Sequence, residues 1–209
     1  VKTTLNQVKD NDKVLVLYGD VPLIRKTTLE DLCSIKSDIS ILTTILKNPT
    51  GYGRVVKDEN DFAISIIEEK DATDSQKEIK EIFTGILVAS GSILMELIPK
   101  INNNNSAKEF YLTDLISIAS DKGFKINTLI SSQNETMGAN SRIEQEELER
   151  TLRTMNTDEL LNNGVTLVDK TRVDIRGDIK AGSDCVIDVN VILEGSVELG
   201  NNVEIGANT

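Results

Sequence analysis

The chain has 209 residues, 39% of them hydrophobic, a formal net charge of -11 and no histidine. That suffices for one large core or two smaller ones, while the acidic balance offers nucleic acid no basic face for counterion release. Apolar runs such as Val14–Tyr18 and Ile86–Ala89 fall far short of the ~20 residues of a spanning helix, so no membrane anchor is expected.

Cys33 and Cys185 form no metal or redox motif, and with no signal peptide in view they point to a reducing cytoplasm. The sequence opens on Val1 and first reaches methionine at Met95, so an N-terminal part is expected to be missing.

Val14–Tyr18 reads as a strand buried on both faces of a parallel sheet, stopped by Gly19 and Pro22. Asp20 then stands beyond the carboxyl end of that strand, where open α/β sheets bind ligands. The competing reading is a turn aspartate bonded to its own backbone. Thr27 with Glu30 makes a capping box, and Leu29, Leu32 and Ile35 continue at helical spacing to about Lys36. Strands are expected at Ile39–Leu46, after the glycine-bearing turn of Asn48–Val56, at Phe62–Glu69, at Ile82–Ser90 and at Phe124–Ser131. Two helical patterns, SILMELIPKI and YLTDLISIASDKG, precede the last strand, the second stopped at Gly123 and the two separated by a polar Asn102–Asn105 loop.

Ser141 and Glu144 form another capping box, opening a charged helix with Ile143, Leu148, Leu152, Met155 and Leu160 on one stripe before Gly164. From Val173 the period becomes six. Val173, Ile179, Cys185, Val191, Val197 and Val203 form one column, and Ile175, Ala181, Ile187, Leu193, Leu199 and Ile205 a second. Such hexads predict triangular coils of about 18 residues, a parallel β-helix with both columns inward.

In that order, LYGDVPLI, NPTGYGR, IIEEKDAT, FTGILVAS, EFYLTDLI and GANSR resemble the bacterial bifunctional N-acetylglucosamine-1-phosphate uridyltransferase/glucosamine-1-phosphate acetyltransferase family. The resemblance implies an α/β fold: a Rossmann-like mixed sheet of the nucleotide-diphospho-sugar transferase kind over 1–140, a linker helix over 141–164 and the first coils of a left-handed hexapeptide β-helix over 165–209. It implies uridylyl transfer from UTP to N-acetylglucosamine 1-phosphate, giving UDP-N-acetylglucosamine for peptidoglycan and lipopolysaccharide, in a cytoplasmic homotrimer. Asp20 and Asn140 then correspond to Mg²⁺ ligands; Tyr18, Gly19 and Asp20 line the nucleotide; Gly53 offers its backbone to the sugar; and Glu68, not Glu69, binds a sugar hydroxyl.

Two departures stand out. Phe83 occupies the place of a sugar-binding Asn, and no glycine precedes Gly19 where the family has a phosphate-cradling loop. With no histidine, the acetyltransferase half and its acetyl-CoA site are expected beyond Thr209, and the chain alone is expected to be poorly active. The alternatives are another sugar-1-phosphate nucleotidyltransferase and a non-catalytic trimerising fragment.

Overall fold

Strands with few polar interruptions settle where both faces of a sheet are covered, and in the computed structural model, which describes residues 2–103 and 108–209, those strands are β2 (Ile39–Ile45) and β5 (Glu81–Ser90), whose Ser40, Thr43, Thr44 and Thr84 are buried with their apolar neighbours. Around them stand β1 (Lys13–Val16), β3 (Arg54–Lys57), β4 (Ala63–Ile67) and β6 (Ile126–Ile130), in the order β4-β3-β5-β2-β6 with β1 paired to β5. The sheet is mixed: β2 and β6 run parallel, and the other pairs are antiparallel.

The two-residue alternation of β5 sorts the core. Phe83, Leu87 and Ala89 join Ile39 and Ile41 against α3 (Gly91–Leu97) and α4 (Asp114–Asp121). Ile86 and Val88 join Leu42 against Leu29, Leu32 and Cys33 of α1 (Lys26–Ser34) on the other face.

Local details depart from the sequence expectations. β1 is not a doubly buried strand of a parallel sheet; it is antiparallel, half-buried and stops at Val16, leaving Leu17 and Tyr18 exposed. α1 begins at Lys26, and its N-cap Arg25 makes no side-chain capping bond, so the Thr27–Glu30 box does not form. An unanticipated box does form at Thr73 and Gln76, opening the one-turn α2 (Asp74–Lys77). Gly123 ends α4 as expected, with φ at +81°. Of the Asn102–Asn105 loop, Asn104 and Asn105 lie outside the described residues.

Contacts divide the chain into two units, Val1–Met137 and Gly138–Thr209. The second begins with α5 (Arg142–Asn162). Ser141 caps it by accepting the Glu144 N–H at 3.2 Å, but the Glu144 carboxylate reaches back to the N–H of Asn140, one residue beyond a standard box. Ile143 is 75% exposed and Leu152 is exposed too, so the buried stripe of α5 narrows to Leu148, Thr157 and Leu160.

Short strands follow: β7 (Thr166–Leu167), β8 (Val173–Ala181), β9 (Val186–Ile187), β10 (Val191–Leu199) and β11 (Glu204–Ile205). β8 pairs in parallel with β10 and β9 with β11, Val173 facing Val191 and Val186 facing Glu204, so each pairing advances 18 residues. Val173, Ile175, Cys185, Ile187, Val191 and Leu193 are buried together with Leu160 and Val165, and the remaining hexad positions pack against them half-buried. Positive φ recurs at Asp184, Asn190, Asn202 and Asn208, residue types that tolerate the left-handed region.

Candidate functional site

One edge of β5 is taken by β2, and the opposite edge is shared. There β3 pairs at Ile82 and β1 pairs from Leu87 to Ser90, leaving a break between them at Gly85. Gly85 has φ +85°, and a Cβ on it would stand 2.0 Å from Tyr18 Cε2, so the Tyr18 ring lies directly over the glycine. Both neighbouring strands aim their ends at this break. β1 delivers Tyr18, Gly19 and Asp20 from its carboxyl end. β3 delivers Gly53 from its amino end, its carbonyl accepting the Phe83 N–H at 3.1 Å. β4, antiparallel to β3, delivers Glu68 just past its last residue.

Side chains close the cluster. A Cβ on Gly53 would lie 2.8 Å from Ile66 Cγ2 and 3.4 Å from Glu68 Oε1, so only glycine leaves this approach open. Thr113 donates its hydroxyl to Glu68 Oε1 at 3.1 Å. The Tyr18 phenol is pushed up by burial first and then by the charges of Glu68 and Asp20, which holds it protonated as a donor between two carboxylates. Asp20 itself is exposed in a turn, and among the described residues its carboxylate accepts no hydrogen bond and forms no ion pair.

No protein-family model matches the chain. Over its full length it is 46% identical to the Bifunctional protein GlmU of Neisseria meningitidis serogroup B, across 210 aligned residues. The sequence is GlmU-type throughout. The chain spans 46% of the length of that relative.

Two solved structures share the fold. CMP:2-keto-3-deoxy-manno-octonic acid synthetase complexed with CTP matches with a TM-score of 0.53 at 17% identity, over 76% of this chain and 66% of its own. The nucleoside-diphosphate-sugar pyrophosphorylase of Vibrio cholerae RC9 matches with a TM-score of 0.51 at 12% identity, over 70% of this chain and 60% of its own. The sheet is thus a nucleotidyltransferase-like mixed α/β sheet.

In this GlmU-type chain the structure separates the two adjacent glutamates. Glu68 faces Gly53, Thr113 and Tyr18, while Glu69 pairs with the buried Arg54 at 2.5 Å. Arg54 also donates to the Tyr52 carbonyl, its Nε has no hydrogen-bond partner among the described residues, and it is 1% exposed. The hydrogen bond from Arg54 and the guanidinium charge hold the Glu69 carboxyl below the usual glutamate range. A carboxyl lowered on folding contributes stability that is present above the ordinary glutamate value of about 4.3 and lost as pH falls through the folded value. Thermal melts between pH 5 and 3 should therefore fall more steeply for the native chain than for Glu69→Gln; parallel curves would remove Glu69 from the acid response.

Tyr18, Asp20, Gly53 and Glu68 thus come together, with Gly19 in the same turn but with nothing within 4 Å of a Cβ placed on it. Asn140 belongs to the second unit, where it is exposed. Phe83 is 7% exposed and belongs to the buried core of the sheet, opposite Thr43 of β2.

Sequence reasoning missed Gly85, Arg54, Tyr111 and Thr113, although all four stand in quoted motifs, Gly85 in FTGILVAS, Arg54 in NPTGYGR, and Tyr111 and Thr113 in EFYLTDLI. Burial first, then Glu109, Glu68, Asp71 and Asp114, raise the Tyr111 phenol, so it too stays a donor. Among the described residues, no three His, Cys, Asp or Glu cluster as a metal cage. The exposed Asp20 carboxylate is nonetheless a hard oxygen donor of the kind a magnesium ion takes, since Mg²⁺ keeps several waters and phosphate oxygens of its own.

Proposed function

We propose that the first unit carries a uridylyl-transfer site, in which N-acetylglucosamine 1-phosphate reacts with UTP. A phosphate oxygen of the sugar forms a bond to the α-phosphorus, the bond from that phosphorus to the bridging oxygen breaks, and pyrophosphate leaves with the electron pair. The observation that carries this reading is the convergence of Tyr18, Asp20, Gly53 and Glu68 on the Gly85 break, in a chain 46% identical to GlmU.

No protein group has to take a proton, since the attacking phosphate is already ionised. The work is positioning and charge neutralisation, which is compatible with a chain that has no histidine. Tyr18 and Gly19 line the nucleotide. The open space at Gly53 admits the sugar against backbone, and Glu68, oriented by the Thr113 hydroxyl, accepts from a sugar hydroxyl. Asp20 would hold Mg²⁺, which when bound offsets the charge of the triphosphate.

The 18-residue parallel register of the second unit supports coils of a left-handed hexapeptide β-helix, with 141–164 as linker helix. In the longer protein, a cytoplasmic homotrimer, acetyl-CoA-dependent acetylation would belong to the part of the GlmU length that this chain does not span.

Pyrophosphate release by the protein carrying this chain tests the reading, with light scattering on the same preparation for the trimer. Release should require Mg²⁺ together with UTP and N-acetylglucosamine 1-phosphate. A greater rate with CTP, dTTP or another sugar phosphate would keep nucleotidyl transfer and replace the substrate. Absence of release with every pair would overturn the proposal.

A further inference from the structure

Among the described residues of the first unit, the one buried carboxylate without a place in the site is Glu135, 7% exposed. It lies in the single helical turn Gln133–Thr136, yet most of its partners are at the start of α1, over a hundred positions earlier in sequence. Its Oε2 accepts the Thr28 hydroxyl at 2.5 Å and the Arg25 N–H at 3.4 Å. Its Oε1 accepts the Ser132 hydroxyl at 3.2 Å and stands 4.0 Å from Arg25 Nε.

Arg25 is the N-cap of α1 and Thr28 its third helical residue, and that helix has no side-chain cap of its own. The N–H of the N-cap is the donor that a Glu or Gln at the third helical position takes in a capping box, and here Thr28 at that position instead holds the distant carboxylate by its hydroxyl, which also places negative charge at the positive end of the helix. Glu135 therefore caps α1 from a distance.

Only Val21, Pro22, Leu23 and Ile24 separate Asp20 from that capped end. Val21 and Leu23 are buried, so the short segment transmits the position of Arg25 to Asp20 with little slack. The upstream end is held by β1 on β5. We infer that Glu135 is a positioning residue: by capping α1 from a distance it holds the downstream end of the Asp20 turn and so sets the affinity of that carboxylate for a divalent cation. The inference rests on the metal-binding reading of Asp20 above.

Two measurements on the full chain test it, with Glu135→Ala, Glu135→Gln, Thr28→Val and Asp20→Ala. The first is amide hydrogen exchange over residues 21–28, which does not depend on any metal. Loss of the cap should speed exchange there by about fivefold in Glu135→Ala, less in Thr28→Val. Glu135→Gln should stay near the native rate, because its amide oxygen still accepts from Thr28. The second is the Mn²⁺ concentration that half-broadens the amide resonances of Gly19–Val21. It should rise about tenfold in Glu135→Ala, the size seen when supports of a metal ligand are removed, and recover in Glu135→Gln.

Unchanged exchange in both Glu135→Ala and Thr28→Val overturns the inference. So does faster exchange with an unchanged Mn²⁺ midpoint while Asp20→Ala abolishes broadening. If Asp20→Ala leaves broadening intact, the metal reading of Asp20 fails and the positioning role falls with it; the exchange data show whether the distant cap itself survives. Should Glu135→Ala fail to fold, Thr28→Val decides, since it removes the same hydrogen bond while keeping the side-chain volume.

Discussion

Asp20→Ala is expected to lower nucleotidyl transfer by about 10²- to 10³-fold or more, the usual consequence of losing a preorganised partner for phosphate charge. The fold should not notice. Asp20 is exposed and unpaired within the described residues, its neighbours Val21 and Leu23 remain buried, and the β1–β5 ladder ends before it. A surface substitution of this sort stays within about 0.5 kcal/mol of native stability. Steady-state rates and thermal melts on the same preparation separate the two effects. A rate loss accompanied by an equal loss of melting temperature would mean that the turn is structural, and an unchanged rate would remove Asp20 from the chemistry.

The second large effect concerns stability of the 138–209 unit. Gly177 has φ +152°, and a Cβ on it would stand 2.2 Å from the Gly195 carbonyl oxygen and 2.8 Å from its carbon, on the paired strand. The clash is with backbone in the middle of a nine-residue parallel ladder, so no rotamer relieves it. Gly177→Ala should cost about 3 kcal/mol or more, from about 1–3 kcal/mol of backbone strain plus the broken ladder.

Gly164 is the control. It also has positive φ, +87°, but nothing lies within 4 Å of its Cβ position, so Gly164→Ala should cost only about 1–2 kcal/mol of conformational strain. Urea unfolding of both variants, read by exchange in β8 and β10, decides the matter: equal losses would mean that close stacking of Gly177 on Gly195 contributes nothing.

These two positions also show where the sequence is readable. The hexad columns from Val173 to Ile205 are visible because a six-residue repeat places every inward side chain at a fixed local spacing, and the parallel register of 18 follows that spacing. Ser141 before α5 and Gly123 after α4 are legible for the same reason: a cap acts on backbone groups within a few residues of itself. β2 and β5 are legible as buried strands because their apolar residues fall at both odd and even positions and so need cover on both faces.

The Asp20 strand shows the opposite. Val14–Tyr18 is more apolar than β2, yet β1 sits beside the broken edge of β5, antiparallel and half-exposed. Composition records how greasy a segment is, and says nothing of which neighbour occupies its edge. Likewise Glu68 and Glu69 are chemically identical. Both lie past the end of β4, and only the buried Arg54 beside one and Thr113 beside the other give each its task.

By itself, then, the amino-acid sequence determined the local elements, the two textures of the chain and the place of Asp20 after a strand, since periodicity, caps and turns act over a few residues, while Tyr18, Gly53 and Glu68 became candidates through the family resemblance. Only the tertiary structure decided that β1 and β3 leave a break at Gly85, that the Tyr18 ring covers it and that Glu135 caps α1 from 107 positions beyond Thr28. Those are contacts between segments far apart in the chain, selected by burial and hydrogen-bond satisfaction in three dimensions, and no local pattern encodes them.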